Sequence, residues 1–395
     1  MEYQTGEIKL DIRIKDHYTD DELTLLVNIG HSLETGNSLL EPDHDLALAV
    51  YGLAAKSGDA TAMNNYGWMT LNGLGTSKDI GKAISAFEDA ASRGYTVAMV
   101  NLGNIYENLE NYVEAEFGDF RIVDDAIFLT QRVSIDNEYV DYRKAAKWYK
   151  NAMECGNAKG AFNYANMLFA GRGVQKNRKK AFDIFSNLFE IGHPGAEFYL
   201  GLYHQQGFIG KRNYDLARRF YIIGATSGDV NCYNQLGVMY AKGLGVKRDF
   251  SFALEYYSIA AEGGDSLSMA NIGWLYLNGD GVSQDYKEAF MWFNRAFEKG
   301  FKLETESAGP LNTLGWLYQN GWGTERNHEK AVELYKKAAD LGNSDAQANL
   351  GAMLENGWGI IRDLSMAIFW YRKSAEQGDT DAIKALERLE ETYGS

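Results

Sequence analysis

MANIGWLYLNGDGVSQDYKEAFMWFNRAFEKG, residues Met269–Gly300, decides the fold, because its skeleton recurs along almost the whole chain. The skeleton is a small residue in a first apolar segment, a Gly-x-Gly loop, an Asp or Asn, then Ala, an aromatic residue and a closing Gly. The closing glycines are Gly58, Gly94, Gly156, Gly192, Gly228, Gly264, Gly300, Gly342 and Gly378, spaced by 36, 62, 36, 36, 36, 36, 42 and 36 residues. A fixed period of this size marks a stack of supersecondary units rather than one globular core.

Each place in the unit has a physical reason. Eleven residues before the closing Gly stands Ala every time (Ala47, Ala83, Ala145, Ala181, Ala217, Ala253, Ala289, Ala331, Ala367), a side chain small enough to let two helices approach. Four residues on, one helical turn away on the same face, comes an aromatic: Tyr51, Phe87, Tyr149, Phe185, Tyr221, Tyr257, Phe293, Tyr335 and Tyr371. Fifteen before the closing Gly lies an Asp or Asn, from Asp43 to Asp363, where its short side-chain oxygen would cap a second helix. The closing Gly suits the left-handed turn that ends that helix. The first helix has its own small ridge residue: Gly67, Gly103, Ala165, Gly201, Gly237, Gly273, Gly315 and Gly351. A mid-helix Gly costs about 1 kcal/mol against Ala, so close packing has to offset it. Two antiparallel helices per unit follow.

The stretch LGWLYQNGWGTERNHEKAVELYKKAADLG, Leu314–Gly342, resembles the Sel-one-like repeat, a relative of the tetratricopeptide repeat, and the match runs from about residue 22 to 391. The resemblance implies an all-α fold, a right-handed α/α superhelical solenoid of about nine antiparallel helix pairs, working as an adaptor or assembly platform. It also admits two alternatives: an immunity or inhibitor protein that neutralises one toxin or effector, and, ranked last, a hydrolase like some secreted relatives. The cysteine pair that those secreted relatives place in every repeat is not found here; Cys155 and Cys232 stand far apart in the register.

Residues 1–21 read as an amino-terminal arm. Within it Ile8, Leu10, Ile12 and Ile14 alternate with charged neighbours, a period-two strand signal in an otherwise helical chain. It is read either as an arm on the first helices or as an edge strand awaiting a partner. Residues 22–378 hold the repeats, with His31 at the ridge place of an irregular first unit. An insertion of about 26 residues lies near 109–134, with six acidic and two basic residues, and a smaller one near 301–307. The FRIV and AIFL segments of the larger one are candidate partners for the amino-terminal strand. Residues 379–395 read as a capping helix.

Composition narrows the function. A formal charge of −15 opposes binding to nucleic acid or anionic membrane and favours a basic partner protein. The amino-terminal stretch has no apolar leader and no run is long enough to span a bilayer, from which a cytoplasmic location is expected. The Gly-x-Gly loops sit between helices without the preceding strand or the Gly-Lys-Ser/Thr of a phosphate cradle. The histidines, His17, His31, His44, His193, His204 and His328, are dispersed. We therefore assign no catalytic residue, no cofactor site and no metal ligand.

What remains is a surface. If the array curves like tetratricopeptide arrays, the residue after each ridge faces an inner groove, and so does the residue five after it. Those places hold Trp68, Trp274 and Trp316, and Asn72, Asn278, Asn320 and Asn356. Indoles would bury a partner's side chains and carboxamides would bond its backbone; alternatively the asparagines cap their own helices and the tryptophans pack between units. Trp322 and Trp358, inside two Gly-x-Gly loops, are either plugs or exposed anchors.

Overall fold

The computed structural model describes residues 2–5, 8–11, 15, 18–36, 41–108, 140–300 and 308–393. The chain divides into two units, residues 1–196 and 197–395. The first opens with a hairpin of β1 (Glu2–Thr5) and β2 (Ile8–Asp11), antiparallel, with Glu2 opposite Asp11 and Thr5 opposite Ile8. The strand signal is thus met over Ile8–Asp11, and its partner is the chain's own preceding segment. Ile12, Ile14 and the insertion segments named as alternative partners lie outside the described residues.

The rest is an all-α repeat solenoid. The first unit contains α1 (Asp20–Thr35), α2 (His44–Lys56), α3 (Ala60–Asn72), α4 (Ile80–Ser92), α5 (Thr96–Asn108), α6 (Tyr142–Glu154), α7 (Ala158–Ala170) and α8 (Arg178–Glu190). The second contains α9 (Ala196–Gln206), whose first residue closes the preceding unit, then α10 (Tyr214–Thr226), α11 (Val230–Lys242), α12 (Phe250–Glu262) and α13 (Ser266–Asn278). It continues with α14 (Tyr286–Glu298), α15 (Ala308–Asn320), α16 (His328–Asp340), α17 (Ser344–Asn356), α18 (Leu364–Ala375) and α19 (Thr380–Tyr393). Odd-numbered helices are the first helices of the pairs and even-numbered ones the second.

Each pair is closed by the same devices. The Asp or Asn before every second helix accepts from a backbone N–H in its first turn, as Asp43 does from Leu46 at 3.0 Å and Asp363 from Met366 at 2.9 Å. Such caps contribute about 1 kcal/mol apiece. The same residue's own N–H donates back to a first-helix carbonyl, for example Asp285 to Tyr276 and Asp363 to Leu354. This strap holds even where the larger insertion intervenes: Asp141 N–H meets the Tyr106 carbonyl at 3.0 Å, so α5 and α6 pair like the rest. All nine closing glycines have positive φ, between 71° and 100°.

The core lies where the second-helix aromatic sits on the first-helix ridge. Tyr51, Phe87, Tyr149, Phe185, Tyr221, Tyr257, Phe293, Tyr335 and Tyr371 are all buried, and the nine partner alanines are fully so. Burying each ring stabilises by roughly 2–3 kcal/mol. A Cβ on Gly237 would lie 2.6 Å from the Tyr257 ring, and one on Gly351 2.8 Å from Tyr371. In the first pair the ridge is Gly30, whose Cβ would lie 2.6 Å from Tyr51, and not His31, which is exposed. The assignment moves by one residue because this pair, which lacks the Gly-x-Gly loop, has 13 residues from ridge to cap (Gly30 to Asp43) where pairs such as Gly67 to Asp79 have 12.

α19 occupies the register of another first helix, with Asp379 accepting from Ala382 N–H at 2.8 Å. Its ridge place holds exposed Glu387, so no second helix seats on it in the manner of the other pairs.

The Gly-x-Gly loops tie neighbouring pairs together. The second glycine lies against the first turn of the previous pair's second helix: Gly323 against the Tyr286 carbonyl, Gly359 against His328. Gly323 also has φ +76°, a conformation side chains disfavour. Gly323→Ala is therefore expected to cost at least about 2 kcal/mol, since backbone and not a flexible side chain opposes the added methyl. Gly81→Ala, on an open face of α4, is expected to stabilise by about 0.5 kcal/mol. Urea unfolding of the two variants beside the parent checks both signs.

Candidate functional site

Packing leaves one stripe of each first helix uncovered. In α13, Met269, Ala270, Ile272, Gly273 and Leu275 are buried. Leu267, Asn271, Trp274 and Asn278, spaced by four, three and four residues, reach solvent along one side. The corresponding residues are Gly309, Thr313, Trp316 and Asn320 in α15, and Asp345, Asn349, Ala352 and Asn356 in α17. Five of the seven residues expected at a binding groove, Trp274, Asn278, Trp316, Asn320 and Asn356, thus lie on consecutive first helices of the second unit. Trp68 and Asn72 occupy the equivalent stripe of α3 in the first unit.

Their local contacts differ by type. Asn72, Asn320 and Asn356 donate Nδ2–H to the carbonyl four residues back, on Trp68, Trp316 and Ala352, at 2.8, 2.9 and 2.8 Å. Asn278 instead reaches the Asp280 carboxylate at 3.4 Å. Each of the first three closes its own helix end. Trp68 is 44% exposed. Trp274 packs edge-on against Phe293, ring centroids 5.5 Å apart, and reaches over Gly309 of the next first helix. Trp316 meets Trp322 at 4.2 Å, perpendicular, and Trp322 leans on Tyr286 at 4.8 Å. Trp358 stacks on His328 at 5.9 Å. Both loop tryptophans therefore rest on the preceding pair with one side open, at 37% and 43% exposure.

Two further sets of residues escape a reading based on the ridge and its successors. Two residues before the ridge, an amide recurs: Asn65, Asn101, Asn163, Gln235, Asn271 and Asn349. Three of them donate across to the preceding first helix, Asn101 to Asn64 at 2.9 Å, Asn271 to Asn234 at 3.0 Å and Asn349 to Asn312 at 2.9 Å. The second set lies four residues after the ridge. Where the second-helix aromatic is Tyr, that place holds an acceptor for its hydroxyl: Glu34 for Tyr51, Glu107 for Tyr149, Gln205 for Tyr221, Gln319 for Tyr335 and Glu355 for Tyr371. Where it is Phe, the place is apolar: Leu71, Phe169 and Leu277. Tyr257, opposite Ala241, departs from the rule. The signal was present as covariation within the chain, visible only when two helices are compared place by place.

Burial, reinforced by the neighbouring carboxylate where there is one, pushes the hydroxyls of Tyr51, Tyr149 and Tyr371 well above the usual phenol range. They act as donors throughout the physiological range. Glu355 has a second partner, Arg388 of α19, which grips it in two-pronged fashion at 2.7 Å on each oxygen. Hydrogen bonding from Arg388, with help from Tyr371, holds the Glu355 carboxyl below its ordinary range against the opposing effect of burial. Glu107 pairs similarly but more loosely with Arg172 at 3.5 Å. Among the described residues no group of three or more acidic, histidine or cysteine side chains is placed to hold a metal, and no helix is long and apolar enough to cross a membrane. Cys155 is exposed and Cys232 buried, both as free thiols.

The model of the Sel1 repeat matches residues 26–59, 60–95, 138–157, 158–186, 194–229, 230–265, 266–301, 312–343 and 344–379. Among solved structures, c5321, a protective antigen of uropathogenic Escherichia coli with an SLR fold, is 25% identical with a TM-score of 0.54, over 94% of this chain and 80% of its own. A Sel1 repeat protein from Oxalobacter formigenes is 30% identical with a TM-score of 0.53, over 60% of this chain and 94% of its own. No curated protein sequence matches the chain.

The Glu355 geometry fixes a pH response at the carboxy-terminal helix. Because the carboxyl is lowered in the folded state, its stabilisation is present above the unfolded value, about 4.3, and is lost as pH falls through the folded value. The protection factors of α19 amides, taken relative to the pH-dependent intrinsic exchange rate, are expected to fall on acidification in that window. Arg388→Ala should already show fast exchange at neutral pH and a flatter profile; an unchanged profile in that variant contradicts the assignment.

Proposed function

We propose that this chain, which belongs to the Sel1 repeat family, holds partner proteins on the uncovered face of its first helices and performs no chemistry of its own. Sel1 repeat proteins are generally interaction scaffolds, and the adaptor reading places this one among them. The observation that supports the site is the pair of partly buried indoles, Trp274 and Trp316, on neighbouring first helices, the first flanked by Asn271 and Asn278 and the second by Thr313 and Asn320. Rigid amphipathic anchors of this kind dominate interface energetics, because they bury large area at small entropic cost and keep a polar handle.

Charge divides the work. Of the twelve stripe residues on α13, α15 and α17, only Asp345 is charged, although the chain as a whole bears −15. The acid excess would speed encounter with a basic protein, whereas the face itself would hold an uncharged stretch of it. The dissociation rate from the face should then be largely insensitive to salt, with ionic strength weakening binding through the association rate.

Affinity capture with the intact protein, beside Trp274→Ala/Trp316→Ala and an Ile223→Ala control on the exposed side of α10, tests the site. The double variant is expected to lose its partners at least tenfold, about 1.4 kcal/mol or more, and the control to keep them. Equal capture by all three rules out these tryptophans as anchors. Several partners of moderate affinity fit an adaptor; a single, very tight one fits an inhibitor instead.

A further inference from the structure

We infer that Asn278 is a site of spontaneous covalent modification, at which Asn278–Gly279 closes to a succinimide and reopens as aspartate or isoaspartate. The reaction changes the chain itself and is independent of whether the face holds a partner.

Four first helices end on the same dipeptide: Asn72–Gly73, Asn278–Gly279, Asn320–Gly321 and Asn356–Gly357. In such a pair the glycine nitrogen attacks the asparagine Cγ. The new N–Cγ bond forms, the Cγ–Nδ2 bond breaks, the glycine N–H proton passes by way of water to the departing nitrogen, and ammonia leaves. Water then opens the ring. Attack at one carbonyl gives aspartate, and attack at the other gives isoaspartate, in which the main chain runs through the side-chain carbon. No oxidant or cofactor takes part. Glycine favours the closure because it has no Cβ to crowd it.

The main chain holds all four places alike. Each glycine is left-handed, with φ between 69° and 75°. Its N–H, the nucleophile once freed, donates to the carbonyl four residues back: Gly73 to Met69, Gly279 to Leu275, Gly321 to Leu317 and Gly357 to Met353. Ring closure at any of them waits on opening of the last helical turn.

The side chains hold them differently. At Asn72, Asn320 and Asn356, Nδ2–H is tied to the carbonyl four back at 2.8, 2.9 and 2.8 Å, and Cγ turns toward the glycine only when that bond is given up. Asn278 lacks the tie. Among the described residues its Nδ2 reaches only the Asp280 carboxylate, at 3.4 Å, longer than an ordinary N–H···O bond. Asp280 accounts for the difference. The other three loops place Leu74, Trp322 and Trp358 there, none of which accepts a hydrogen bond and competes with the helix carbonyl.

The product forms on a sensitive place. Asn278 ends the stripe of α13, and among the stripe residues of α13, α15 and α17 only Asp345 is charged. Conversion puts a carboxylate within reach of Asp280 at a helix C-terminus, where both the like charge and the helix dipole oppose it.

Incubation of the full chain at mildly alkaline pH, followed by peptide mapping and enzymatic methylation of isoaspartate, compares the four sites. In the folded chain Asn278 is expected to convert about fivefold faster than the mean of the other three, the factor that one neutral hydrogen bond contributes. In urea, with every side chain released, the four rates are expected to converge. Asp280→Leu, which copies Leu74, should return Nδ2 to the Trp274 carbonyl and slow Asn278 to the rate of the others. Equal rates in the folded chain, a lead of Asn278 that persists in urea, or undiminished conversion in Asp280→Leu overturns the inference. The folded and unfolded rates of the parent decide the matter even if that variant fails to fold.

Discussion

The contact on which the structure depends is an aromatic ring lying on a glycine. In pair after pair the ring of the second helix occupies the volume that a ridge Cβ would take, as Tyr257 does at Gly237 and Tyr371 at Gly351. That contact sets how close the two helices run. The separation in turn allows the capping residue to bond both its own helix and its partner, and brings the next pair's Gly-x-Gly loop onto the start of the previous second helix. Phe or Tyr serves equally well for the packing. In every pair but that of Tyr257 the choice between them matches the residue four after the ridge, which either receives a hydroxyl or excludes one, because an unpaired buried hydroxyl is costly.

Most of this architecture was readable before any coordinates, for a physical reason: caps, ridges and closing glycines act within one turn of sequence and recur in register. The misplacement of the first ridge at His31 rather than Gly30 shows the limit, since this pair's connection between ridge and cap is one residue longer than in pairs such as Gly67 to Asp79. The tyrosine acceptors and the cross-helix asparagine pairs were harder. Asn234 and Asn271 are 37 residues apart and Tyr149 and Glu107 are 42, so no local rule joins them. The expected groove residues fall on one helix face, but their contacts do not follow from position alone. Asn320 and Asn356 bond their own helices, and Trp316 gains a neighbour, Trp322, from a loop.

The exposed face and the core follow different chemical rules although they alternate along the same helices. Buried places vary conservatively between Gly and Ala, or Phe and Tyr. Stripe places range over Trp, Asn, Thr, Gly and Ala while remaining almost uncharged. The chain is acidic overall yet keeps this face nearly neutral, so the charge of the body and the chemistry of the face can change independently.

The strap from Asp141 to Tyr106 has one more consequence. In an ordinary pair such as α3 and α4, six residues separate Asn72 from Asp79, whereas 32 separate Asn108 from Asp141, yet the chain returns to the corresponding carbonyl. Closing the longer connection costs only about 1.5 kcal/mol more, because loop entropy grows with the logarithm of length. The junction between the helices of a pair is therefore a port in the architecture. Foreign sequence could be grafted there, with the helices of the pair left to assemble as before.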